Sequence, residues 1–99
     1  MGDDDKELTY GFTPLHVAAY MGDIARFEAL MSAGEKPTNS DRGIGVAGVA
    51  VMNGHPGVAL DIFRYVGAVP SVLLVPLLPA EKAYLDGQAA RAMSLSGEA

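Results

Sequence analysis

Apolar residues recur at helical spacing in four places along this chain. Leu15, Ala18 and Ala19 make a narrow stripe of mostly small side chains, and Ile24, Phe27, Leu30 and Met31 make a broader one. The flanking residues set the limits of both. Thr13 can cap a helix with its hydroxyl, Pro14 falls at the first helical position where its missing N–H costs nothing, and Gly22 can supply a left-handed end. A first helix is therefore predicted over Thr13–Met21. Asp23 caps a second over Ile24–Ala33, which Gly34 stops. The polar stretch from Glu35 to Arg42, with Pro37, Asn39, Ser40 and Asp41, reads as a loop. Val58, Ile62, Phe63 and Val66 form the third stripe. The fourth belongs to a helix predicted over Ala80–Met93, with Glu81 in its first turn, Leu85, Ala89, Ala92 and Met93 near one face, and Gly87 weakening it.

The first half of this pattern repeats. Gly54 follows Gly43 at the interval by which Gly22 follows Gly11, and the step from Gly11 to Gly43 is close to a period of about 33 residues. Two differences separate the copies. Where the first unit has Thr13-Pro14-Leu15-His16, the second has Gly45-Val46-Ala47-Gly48, and the gap from Gly54 to Gly67 is one residue longer than that from Gly22 to Gly34. The first helix of the second unit should thus be poorly capped and soft, since each glycine inside a helix costs up to about 1 kcal/mol.

Thr13-Pro14-Leu15-His16, followed by Ala18-Ala19, Gly22 and Gly34, resembles the ankyrin repeat; Gly54-His55 and Gly67-Ala68 resemble the matching positions of a second, degenerate copy. The resemblance covers about residues 8–70 and implies an all-α fold. In it, two antiparallel helix pairs (8–42 and 43–70) stack side by side, an acidic tail (1–7) precedes them, and an apolar linker and C-terminal capping helix (71–99) follow. It implies that His16 fixes the turn to its helix by a hydrogen bond. It also implies a non-catalytic protein-binding module, because the family binds proteins through turn tips and the exposed end of the first helix. Those positions match Tyr10, Phe12, Tyr20 and Met21 in the first unit, and Asp41, Arg42, Ile44, Met52 and Asn53 in the second. Tyr10 and Tyr20 are the expected exposed anchors, since aromatic side chains bury much area at low entropic cost.

Composition narrows the alternatives. A formal net charge of −5 argues against nucleic acid or an acidic membrane as partner. With no cysteine, disulfides and thiolate metal sites are excluded. Hydrophobic residues are 49% of the chain and charged residues 19%, so some apolar surface should stay exposed as an interface. Asp3-Asp4-Asp5-Lys6 is unlike the start of a signal peptide, which suggests a cytoplasmic protein; the run reads as a solvated tail or a shortened protease-tag scar. Val72–Leu78 is broken by prolines at 70, 76 and 79 and is too short for a bilayer, which needs about 20 apolar residues. It is expected to cover the end of the stack, with Leu73–Leu78 a possible self-association patch.

Other chemistry finds less support. Gly43, Gly45 and Gly48 fit a G-x-G-x-x-G dinucleotide fingerprint, with Asp61 further on. That motif needs a buried strand directly before it, and residues 36–42 are polar and contain Pro37. His16 and His55 lack two further ligands at metal-binding spacing, and no nucleophile elbow or loop-type calcium site is present. No cofactor is expected. A remnant of a longer array is the structural alternative to a binding module. With one well-formed and one degraded repeat, stability should be marginal unless the C-terminal segment caps the stack.

Overall fold

The computed structural model describes residues 10–66 and 76–96. The predicted acidic tail, Gly67 and most of the apolar linker, including Leu73 and its neighbours to 75, lie outside them. The described residues form five helices and no strand: α1 (Pro14–Met21), α2 (Ile24–Ser32), α3 (Val46–Met52), α4 (Pro56–Val66) and α5 (Pro79–Ser96). Short turns fold α2 onto α1 and α4 onto α3. The pairs then stack laterally, α1 on α3 and α2 on α4.

The first pair begins and ends where its sequence directs. Thr13 is extended and accepts the His16 amide at its hydroxyl, while the His16 ring accepts the Thr13 amide, so two orphan donors of the helix start are satisfied reciprocally. Gly22 closes α1 at φ +74°, and the Asp23 carboxylate then caps α2 through the Arg26 amide. The last turn of α2 is tied off by the amides of Gly34 and Glu35, on the carbonyls of Met31 and Leu30.

The second pair starts without such help. Gly45 is the N-cap of α3 and makes no side-chain capping bond, as the missing threonine implies. What holds α3 is burial. Val46 to Ala50 are all buried, and the small side chains of Ala18 and Ala19 on α1 face the same core as Ala47 and Ala50 on α3, which lets the two helices approach closely. The softness expected of this helix is therefore offset by its position at the centre of the fold. Phe27, Ile62 and Leu15 complete the core, each fully buried and each contributing about 1.5–3 kcal/mol.

α5 departs from expectation. It runs from Pro79 to Ser96, longer at both ends than the predicted 80–93, and its main packing partner is α1 rather than the second pair. It caps the stack along the face of the first repeat. The residues it turns inward are Glu81, Tyr84, Leu85, Gln88, Ala89 and Ala92, while Met93 is 57% exposed, correcting its assignment to the packed face. Leu77 packs against the core and Leu78 is half exposed.

Candidate functional site

The candidate partner-binding residues come together around α1 and the two turn tips. Tyr10 and Gly11 both have positive φ, +56° and +79°, and form the tip of the first unit. The Asp41 amide donates to the Tyr10 carbonyl at 3.0 Å, so the second tip is paired to the first by its backbone. A Cβ on Gly11 would collide with the Asp41 backbone nitrogen, which explains glycine there.

His16 joins the tips to the core. Its Nδ1 accepts the Thr13 amide at 3.1 Å, which places the ring proton on Nε2, and Nε2 donates to the Ile44 carbonyl at 2.9 Å. The same carbonyl accepts the Ser40 amide, and the Ser40 hydroxyl accepts the Ile44 amide. Burial pushes the His16 pKa below its ordinary value, with the Ile44 bond opposing in part, so the ring is held neutral. The bond to the turn implied by the ankyrin resemblance is present, and it extends across the repeat boundary.

On the neighbouring face lies α5. Tyr84 stacks on Phe12 with ring centroids 6.2 Å apart and 14° between planes, and meets Tyr10 edge-on at 6.0 Å. The Tyr20 hydroxyl donates to Asp86 at 2.5 Å, and the Lys82 ammonium donates to the other Asp86 oxygen at 3.0 Å. Burial, and then the bond to Asp86, raise the Tyr20 pKa; the Tyr20 bond, and then Lys82, lower that of Asp86. Arg42 grips Glu81 with two nitrogens, at 2.7 and 2.9 Å, and donates to the Pro76 carbonyl at 2.8 Å. The Glu81 carboxylate is 1% exposed and also accepts the Leu78 amide, closing the start of its own helix. Its pKa is lowered chiefly by Arg42, and burial opposes this.

The expected exposed aromatic face is corrected by this arrangement. Tyr20 is 3% exposed, Phe12 and Ile44 are buried, and Tyr10 is half-buried against Tyr84. The reason is that α5 lies on that face, with Tyr84 against Tyr10 and Phe12 and Asp86 on the Tyr20 hydroxyl. Arg42 is exposed but engaged by Glu81, and the Asn53 amide donates to the Tyr20 carbonyl at 2.7 Å. Asp41 is exposed, and Met21 and Met52 are half-buried. Sequence reasoning missed Tyr84, Asp86 and Gln88, because an aromatic, a carboxylate and an amide are not the residues by which a packed helix face is recognised.

Beside α5 an open groove of about 240 Å³ runs between α1, α2 and α5, with Phe12, Val17, Leu30 and Tyr84 as apolar walls and Arg26 and Arg91 among its lining. The glycine run supplies no phosphate cradle of the dinucleotide type: the residues before Gly43 are loop, not strand, Gly45 caps α3, and Gly48 is buried within it. Among the described residues no three His, Cys, Asp or Glu side chains come together to hold a metal ion. Among them, too, no helix is long and apolar enough to cross a membrane.

No curated protein and no solved structure matches the chain. The ankyrin repeat family model matches residues 10–42, from the first turn tip to the loop before Gly43. The capped helix pair and the His16 bridge lie in this same segment, so residues 10–42 are similar to an ankyrin repeat in sequence and in local structure.

Proposed function

We propose that this chain is a non-catalytic protein-binding module that meets its partner through the turn tips. The observation that carries the reading is the His16 bridge. One buried imidazole ties the first tip, through Thr13, to the loop of the second, through Ile44, so both tips are presented as one rigid edge. A prearranged surface loses little entropy on binding, and this is what a recognition scaffold requires. The ankyrin match of residues 10–42 supports the same class of function. Tyr10, Met21, Asp41, Arg42, Met52 and Asn53 are the candidates at this edge that are wholly or partly open to solvent.

Site-specific photocrosslinking tests it. A photoreactive amino acid at position 41 or 53 should give a discrete protein adduct in cells, and the same group at Glu28, exposed on α2, should not. Adducts that are absent at 41 and 53, or equal at all three positions, would remove the reading.

A further inference from the structure

We infer that the α1 face is a receptor for a helix of another protein, that α5 is its internal occupant, and that the incoming helix carries the pattern carboxylate-x-x-aromatic-Leu-carboxylate. The inference rests on the protein-binding reading and names the chemistry of the partner. Its source is the set of contacts by which α5 is held. Four side chains within six consecutive residues of α5 are each matched by a separate feature of the repeats. Glu81 meets the Arg42 guanidinium, Tyr84 the Phe12 ring, Leu85 the closed core, and Asp86 the Tyr20 hydroxyl. The repeats thus present a cation from the loop between them, an aromatic plate just before α1, an apolar socket in the core and a hydroxyl donor near the end of α1.

Three observations make the occupant exchangeable. α5 rests mainly on one helix, whereas α3 is packed on both sides by α1 and α4. Much of its inward surface is polar, so its seat depends on paired contacts that another helix can supply equally well. The open groove of about 240 Å³ runs alongside it, so an arriving helix finds Val17 and Leu30 partly uncovered before α5 has left.

Two labelled peptides serve as probes. One copies residues 76–96, and the other is a neutral host helix carrying only Glu, Tyr, Leu and Asp at the spacing of Glu81, Tyr84, Leu85 and Asp86. Both should bind the full-length Tyr84→Ala/Leu85→Ala variant, whose own α5 is unseated, at least tenfold more tightly than the wild type. Adding Arg42→Ala should remove most of that binding, and scrambling the spacing in the host peptide should abolish it. Equal binding to variant and wild type, or none to either, overturns the inference. Should the variant fail to fold, amide hydrogen exchange on the wild type decides instead. Excess peptide should speed exchange in α5 and leave α1 and α3 protected, and α5 amides that exchange with those of α3 and ignore the peptide overturn it. A wild-type dimer dissociated by the peptide would assign the surface to a second copy of this chain and overturn the foreign helix. A partner that crosslinks at position 41 and binds the wild type and the α5 variant alike would sink the displacement while leaving the protein-binding reading intact.

Discussion

Arg42 holds both carboxylate oxygens of Glu81, at 2.7 and 2.9 Å, and this pair joins the loop between the repeats to the first turn of α5. The two residues are unequal: the glutamate is buried and the arginine is exposed. Removing Arg42 therefore leaves a carboxylate enclosed without its cation, whereas neutralising Glu81 leaves an amide able to accept the Leu78 N–H. Arg42→Ala should lower the melting temperature more than Glu81→Gln, and its loss should show first as faster amide exchange in α5. An equal or reversed order in thermal melts would mean that the pair is not a source of α5 docking.

His16 should be the residue of the first turn least able to change. Replacing it by alanine leaves the Thr13 amide without its partner and takes one of two donors from the Ile44 carbonyl. An unmet buried group costs about 1–3 kcal/mol. Thr13→Ala removes only the cap, for about 1 kcal/mol. Urea unfolding of the two variants should therefore rank His16→Ala clearly below Thr13→Ala. Similar midpoints would show that the bridge to Ile44 adds little.

The first helix pair was legible because its limits are written in residues with narrow roles. Thr13 and Pro14 start α1, Gly22 ends it, Asp23 starts α2, and Gly34 follows its end. The period of the glycines carried the second pair, despite the uncapped start of α3. The site was less legible. Tyr10 and Tyr20 read as exposed because, although Leu85, Ala89 and Ala92 mark one face of the last helix, nothing in residues 79–96 announces which part of the repeats that face packs on. The inward positions 81, 84, 85, 88, 89 and 92 keep helical spacing, but they mix a carboxylate, a phenol and an amide with leucine and alanine. Such a face is matched by complementary groups far away in sequence, and one chain read in order does not bring those groups together.

Stability should respond to pH in separate windows. Burial holds the His16 pKa below its ordinary 6.5, so the unfolded chain takes up the proton first; stability is full above that value and declines as pH falls from it towards the depressed folded value. Glu81 and Asp86 are also lowered, from 4.5 and 3.8, so their share is present above those values and is lost as pH falls through the folded ones. Tyr20 and Lys82 are raised, from 10.0 and 10.5, so their contribution is full below those values and disappears on the alkaline side. Urea midpoints in the wild type should fall as pH drops below 6.5. A His16→Gln variant that kept this fall below 6.5 would assign it to another group.

Gly22 and His55 supply the last test, because they separate backbone strain from contact. Gly22 has φ +74°, and a Cβ there would lie 2.7 to 2.9 Å from the His55 ring, where the turn of the second unit packs over that of the first. Gly54 has nearly the same conformation, φ +84°, with nothing within 4 Å of its would-be Cβ. Alanine at either position meets the left-handed penalty of roughly 1–2 kcal/mol, and only at Gly22 must the imidazole also move. Gly22→Ala should thus be more destabilising than Gly54→Ala in urea. The excess should disappear in a His55→Ala background, since the obstructing ring is then gone and only the backbone term remains. Equal costs for the two glycines, or an excess that survives removal of the ring, would show that the turns do not press on each other as the geometry requires.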